Sequence, residues 1–395
     1  METNDYLGSF AQENVVFTTG VVKTNAVGDN FWKVMIFVEN DRFVTSSDEA
    51  WQNIPGSATI KALSVDASTY TEFTTGVLQS WLYDLFCNGF TGNCILVACA
   101  PMSTGETPSN EEFLQNMETA YGLLKAYAYH KTVCAAPTLS AEGPFAIDTE
   151  VAVALAKLCN QDKNILSSVP YYPYSSVTPG TLSTDPLYSA IMNERTADAF
   201  MSAHQDATRN AALFALGLSL SITNGSGTPV GNAIDMWKTN MITSSGASGT
   251  VLENYIKDTL TEANIQYWKP VGDNSGDVAA YGWKSVKGEV IQANWIISYI
   301  TYMSKVKIAR LLTTPNFLRN ESNYARIVNI LQSQINMFGP DRAGKLENIQ
   351  ITAPAFALLP PSAEEIVIDD AWSASFVDQV RKVRIKGTLY IGGNE

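Results

Sequence analysis

The apolar positions in the first half of the chain switch repeatedly between a period of two and a period near 3.6, the marks of strands and helices. In "FWKVMIFVE" (31–39), Trp32, Val34, Ile36 and Val38 alternate with Lys33, Met35 and Phe37. Both faces are largely apolar, which predicts a strand covered on both sides. A helix is expected near 70–86, and "CILVACAP" (94–101) is a continuous apolar run of strand length. "SNEEFLQNMETAYGLLKAY" (109–127) has Ser109 and Glu112 at capping-box spacing, and Phe113, Met117, Ala120, Tyr121 and Leu124 on one helical face. "KTVCAAP" (131–137) reads as a strand, "DTEVAVALAKLC" (148–159) as a helix capped by Asp148, and "NILSSVPYY" (164–172) as another strand. This alternation implies a parallel sheet with helices on its faces.

From about 184 the pattern turns helical through "ATRNAALFALGLSLSI", and the Gly/Ser/Thr/Pro loop "TNGSGTPVGN" (223–232) interrupts it. "TVLENYIKDTLTEANIQYW" (250–268) opens on Thr250 and Glu253, a second capping box, and predicts a helix. "VIQANWIISYITYMSKVKIARLL" (290–312) predicts a long one. "NYARIVNILQSQINMFGP" (323–340) puts Tyr324, Ile327, Val328, Leu331, Ile335 and Phe338 on one face and stops at Gly339-Pro340. Strands are expected at 347–353 and 371–377. Both ends of the chain read as extended β-rich arms. The N-terminal one, 1–30, contains Val15, Val16 and Phe17 in "ENVVFTTGVVKT". The C-terminal one, 380–395, contains "VRKVRIKGTLYIGG", with Val383, Ile385, Leu389 and Ile391 on one side and Arg384, Lys386, Thr388 and Tyr390 on the other. The expected organisation is an α/β domain over 31–225 and a C-terminal α+β domain over 226–379, flanked by the two arms. The fold class is α/β and α+β: a layered α/β domain, a helix-plus-sheet domain, and terminal strands.

Charge sharpens the reading of the tail. The 395-residue chain has a formal net charge of −13 with 46% hydrophobic and 16% charged residues. Arg381, Lys382, Arg384 and Lys386 against Glu395 give the tail +3, so the remainder carries −16. Nucleic acid is an unsuitable partner for so acidic a body, because phosphate contacts need clustered cations. The quiet surface implies cover by other protein. The tail strand has two readings: it pairs at home with the strand at 371–377, or it is donated to a neighbouring subunit. The five cysteines, Cys87, Cys94, Cys99, Cys134 and Cys159, form no C-x-x-C pair and read as buried free thiols in a reducing compartment. The N-terminus has no secretory pattern. Gln292, Asn294, Lys305, Lys307 and Arg310 interrupt the apolar stretch 290–312, which reads as a core helix and not as a membrane span.

Candidate chemistry is sparse. His130 and His204 are the only histidines, and neither lies in a nucleophile or metal-ligand pattern. "GSGTPVG" (225–231) lacks the Lys-Ser/Thr of a phosphate loop, and Glu364-Glu365 and Asp369-Asp370 lack the alternate spacing of a calcium loop. No cofactor, metal or catalytic residue is expected. An enzyme on the α/β half, with its site beyond the strand ends near Pro101, Pro137 or Tyr171–Tyr172, is the alternative from a different class.

Two short elements carry a family resemblance over roughly 250–395. "EANIQYW" (262–268) presents Asn264-Ile265. "YGWKSV" (281–286) places Tyr281, Gly282, Lys284, Ser285 and Val286 where the family has Trp-Gly-x-Arg-Thr-Leu, with only the glycine unchanged. A long helix from Val290, then a helix, two strands and a terminal strand, follow in the same order. The chain resembles the contractile tail sheath proteins of bacteriophages, shared with R-type bacteriocins and other contractile injection systems. Its N-terminal half matches in layout only and lacks the family's Pro-Gly-Val-Tyr arm motif. The resemblance implies a virion structural protein, assembled in the host cytoplasm, that polymerises as a helical homo-oligomer around the tail tube. Its terminal arms link the subunits, and its contraction drives the tube through the host envelope for genome ejection. The implied partners are the chain itself, the tail tube protein, and baseplate and tail terminator proteins, with no nucleic acid and no membrane insertion. Another structural phage component, such as a baseplate protein, is a further alternative.

Overall fold

The computed structural model describes residues 32–39, 52–54, 58–63, 76–90, 93–99, 110–124, 130–135, 148–161, 165–172, 182–206, 208–221, 234, 236–246, 254–272, 276–314, 317–359, 366, 368 and 371–377. Both terminal arms, with Val15, Val16, Phe17, Arg381, Lys382, Val383, Arg384, Ile385, Lys386, Leu389 and Ile391, lie outside the described residues. So do the 225–231 loop, both acidic pairs, Pro101 and Pro137.

The strands of the first half are β1 (Trp32–Glu39), β2 (Gln52–Ile54), β3 (Ala58–Leu63), β4 (Asn93–Cys99), β5 (His130–Ala135), β6 (Ile165–Tyr171) and β7 (Phe200–Ala203). They form one sheet in the order β2-β3-β4-β1-β5-β6-β7. β1 is central and parallel to both β4 and β5. β6 and β7 extend the parallel run, and the β2–β3 hairpin closes the other side antiparallel. The two-sided apolar character of β1 has its expected cause: Val34, Met35, Ile36 and Phe37 are all fully buried. Alternation sends them into different cores. Val34 and Ile36 join Trp81, Leu82 and Phe214, while Met35 and Phe37 join Phe113, Met117 and Val151.

Helices α1 (Gly76–Phe86), α2 (Asn110–Leu124), α3 (Thr149–Gln161), α4 (Pro186–Asn193) and α5 (Ala211–Ser221) cover these faces. Asp148 caps α3 as expected, accepting the Glu150 and Val151 amides at 2.8 and 3.0 Å. Every residue of α5 from Ala211 to Leu220 is buried. The helical stretch expected from 184 is therefore interrupted: β7 lies inside it, a four-residue strand buried at every position.

Beyond α6 (Asn254–Glu262) the chain departs from the expected helix to 268. Asn264 adopts φ 55°, a left-handed conformation that asparagine tolerates and that ends the helix. Strands β9 (Tyr267–Pro270) and β10 (Val278–Tyr281) follow and pair antiparallel, with β8 (Lys238–Thr239) on the far side of β10. This small sheet packs into the large one. Phe200, Phe214, Trp268, Trp283 and Trp295 share a cluster with Val34 and Trp81, so one core holds residues on both sides of position 225.

The last third is a helical hairpin, α7 (Ile291–Leu312) and α8 (Glu321–Asn336), followed by β11 (Leu346–Ile351) and β12 (Trp372–Phe376). The start of α7 packs with the end of α8 through Ile296, Tyr299, Ile300, Ile335 and Phe338. The end of α7 packs with the start of α8 through Ile308, Leu311, Ile327 and Leu331, so the pair is antiparallel. The architecture is α/β and α+β. Among the described residues no helix is long and apolar enough to cross a membrane.

Candidate assembly interface

The α7–α8 hairpin is a platform for β11 and β12. Asn320 starts α8 by accepting the Asn323 amide at 2.9 Å. The helix stops before Gly339, and the Phe338 carbonyl accepts the Lys345 and Leu346 amides at 2.9 and 2.8 Å, turning the chain into β11. β11 and β12 pair antiparallel with an irregularity between Glu347 and Gln350, where Asn348 takes φ 51°. The Val377 amide reaches the Lys345 carbonyl at 2.9 Å and extends the ladder.

Among the described residues this sheet has two strands and neither outer edge has a ladder partner. Its apolar side, with Ile349, Ile351, Trp372, Ala374 and Phe376, rests against the platform yet stays only half-buried. Ser373 and Ser375 alternate to the exposed side. Two-stranded sheets are marginal alone, and unpaired amides and carbonyls template further strands. Four residues after Val377 the sequence reaches Arg381.

The motif residues assemble elsewhere, as a joint. The Asn264 side-chain amide donates to the Val286 carbonyl at 3.3 Å, and Ile265 is buried beside β7. Tyr281 stacks on Tyr267 with ring centres 5.4 Å apart, and Lys269 Nζ sits 3.7 Å above the Tyr281 ring. Gly282 takes φ 93°, and a Cβ there would lie 3.6 Å from the Gln266 Cα. That left-handed turn is the physical reason for glycine. Lys284 bridges to Val290. Ser285 Oγ accepts the Glu289 amide at 3.0 Å, and the Ser285 side chain bonds Asp198, whose carboxylate also takes the Ala199 and Lys287 amides. The Val286 amide reaches the Ala199 carbonyl at 2.9 Å. Burial raises the Asp198 carboxyl above the usual range, with these donors opposing it. The joint thus ties α6, the small sheet and the start of α7 to the edge strand β7. Gln266 completes it, donating its amide to Met201 and accepting from Ala203.

Of the strand ends that could carry an enzyme site, the described one, at Tyr171–Tyr172, is tied up by internal hydrogen bonds. Tyr171 donates to Asp185 at 3.2 Å and Tyr172 to the Arg209 carbonyl at 3.1 Å. Asp84 on α1 is fully buried, pairs with Arg209 and accepts the Asn210 amide at 2.7 Å. Its pKa is raised to about 6, because burial outweighs those donors. His204 is 2% exposed. Its Nδ1 accepts the Asp206 amide at 3.1 Å, leaving the proton on Nε2, which faces Thr243 Oγ1 at 3.4 Å. Burial lowers its pKa and favours the neutral ring. His130 opens β5. Cys87 is half-buried and its thiol is pushed up to about 12, by burial first and the Asp84 carboxylate second. Such a thiol is a poor nucleophile. Cys94 and Cys159 are buried. The cavity between α3, β6 and α7, lined by Asn160, Leu166, Asp198, Ser285, Glu289, Ile291, Asn294 and Trp295, holds about 30 Å³. That is room for about two waters at most, and not for a substrate. Among the described residues no three His, Cys, Asp or Glu side chains group to hold a metal.

The Asp84–Arg209 pair is not legible in the sequence, because its partners lie 125 residues apart with no local pattern. No protein-family model and no curated protein matches the chain. In fold it is similar to a chain of the cryo-EM structure of the anti-feeding prophage (AFP) baseplate, 6-fold symmetrised. The TM-score is 0.57 at 11% identity, over 95% of this chain and 100% of that one.

Proposed function

We propose that this chain is a non-enzymatic structural subunit of a contractile tail or injection apparatus, and that within it the chain builds the sheath. The observation that carries the reading is the two-stranded β11–β12 sheet, half-buried on its apolar side and open at both edges among the described residues. A sheet of this kind is a receiver for extended segments, and the sequence supplies them at both ends. The basic, alternating segment 380–393 has the apolar face that a third strand needs. Donated between copies, it would link subunits into a helical sleeve around a tail tube, with particle location and assembly in the host cytoplasm following from that role. Repacking of such interfaces needs no nucleotide. The fold likeness to a chain of a prophage baseplate assembly supports the class of apparatus. It also favours a second reading, a baseplate component.

Negative-stain microscopy of the purified full chain tests both. The sheath reading expects helical tubes, and the baseplate reading expects rings or small closed particles. A monodisperse monomer under all conditions removes both. Deleting 380–395 should leave the folded core and abolish tubes. Wild-type tubes from the truncated chain would overturn strand donation.

A further inference from the structure

The junction between the large sheet and the small one buries a row of polar side chains. Gln266, the residue before β9, forms a parallel bridge with Ser202 of β7. β7 is in turn parallel to β6, with Phe200 opposite Ser168 and Ser202 opposite Pro170. Alternation settles which face each side chain presents. Val169, Tyr171, Met201, Ala203, Ile265 and Tyr267 all join one core cluster. Phe200 and Trp268 join another, with Leu166 packed against it. Ser168, Ser202 and Gln266 therefore face this second cluster together, on three neighbouring segments. Ser202 and Gln266 are 0% exposed and Ser168 1%.

Their cover is aromatic. Trp283 packs edge-on against Phe200 with ring centres 4.8 Å apart, and Phe214 of α5 against Trp268 at 5.2 Å. Among the described residues, Ser168 Oγ, Ser202 Oγ, Gln266 Oε1 and Gln266 Nε2 find no hydrogen-bond partner, and neither does Nε1 of Trp268 or of Trp283. Nearly all buried polar atoms in native proteins are satisfied, and one left bare costs its full desolvation. A single orphan is a local exception, whereas six along one seam point to a shared partner that is not protein. All six belong to uncharged groups, donors and acceptors together. They offer an ion no opposite charge to offset its lost hydration, but they suit water, which donates and accepts. The face also has room. The cavity of about 30 Å³ that touches Leu166 lies on this side of β6, two residues before Ser168.

We infer that this seam binds buried water, and that the water bridges Ser202 Oγ to the Gln266 side chain, joining the small sheet to the edge strand of the large one beside their main-chain bonds. The inference is independent of which part of an apparatus the chain builds. Denaturant unfolding of full-length Ser202→Ala, Gln266→Met and the double variant tests it, beside a map of the wild-type chain at a resolution that shows ordered water. Ser202→Ala removes one oxygen and introduces no clash. With a bridging water it should raise the unfolding equilibrium constant about fivefold or more, and the double variant should lose less than the two single losses combined. In a dry seam the same substitution removes an unsatisfied hydroxyl, so an unchanged or lower constant overturns the inference. Strict additivity in the cycle overturns it too. The map should place water within hydrogen-bond distance of both Ser202 Oγ and Gln266. Direct contact between the two side chains, or packing with no water between them, overturns the inference whatever the unfolding gives. If Gln266→Met fails to fold, Ser202→Ala and the map decide.

Discussion

At the residue scale, two buried ionisable groups give the chain opposed pH responses. Asp84 has a folded pKa of about 6 against 3.8 for the free group. The folded state therefore holds its proton more tightly, and stability from this group falls as pH rises from about 4 to 6. His204 is shifted down by burial. Its contribution is complete above its unfolded pKa of about 6.5 and is lost as pH falls below that. Denaturant unfolding at several pH values between 5 and 7 separates them. Asp84→Asn should leave a chain whose stability rises more steeply with pH than wild type, and His204→Gln one whose stability rises less. Identical slopes in all three proteins would remove both assignments. At neutral pH Asp84→Asn should also cost about 3 kcal/mol, because it strands the Arg209 guanidinium in a largely buried setting.

At the element scale, legibility followed the local period. β1, β4, α2, α3, α7 and α8 were readable because each presents its own apolar face to a neighbour over several turns or pleats. β7 was not: Phe200–Ala203 is short, buried at all four positions and flanked by helices, so it has no alternation to read. The sequence predicts α6 too long because apolar residues continue at Ile265, Tyr267 and Trp268, past its end at Glu262. Only the left-handed φ of Asn264 and the pairing of β9 with β10 mark the change. The pairing of β11 with β12 is likewise invisible in sequence, since pairing is a non-local property. α5 shows how demanding such packing is. Gly217 lies against the Leu85 backbone of α1, and a Cβ there would overlap the Leu85 carbonyl. Ala is otherwise the better helix residue by about 1 kcal/mol, so propensity predicts a gain. We expect packing to win, with Gly217→Ala lowering stability by about 1–3 kcal/mol in a thermal or chemical melt. A more stable variant would mean the α1–α5 crossing relaxes freely.

At the scale of the whole molecule, the distribution of charge separates the two ways in which the tail strand could pair. The chain concentrates cations in the 301–330 hairpin and in the tail, and leaves the rest strongly acidic. A tail strand paired at home needs only its apolar face, because the ladder and the alternation of Val383, Ile385, Leu389 and Ile391 are indifferent to the charge opposite them. A tail strand donated to another copy has a further task, since two bodies of charge −16 must approach. Reversing Arg381, Lys382, Arg384 and Lys386 to Glu discriminates between these cases. Each reversal shifts charge by two and takes the chain from −13 to −21. With home pairing the variant should sediment and assemble as wild type does. With donation it should stay unassembled at low salt and recover partly at about 0.5 M salt, where the screening length falls to a few ångströms. Sedimentation of the variant at both salts, beside the tail-deleted chain, gives the answer. Recovery by salt assigns the defect to repulsion between copies, because a chain that has lost the strand altogether has nothing for salt to restore.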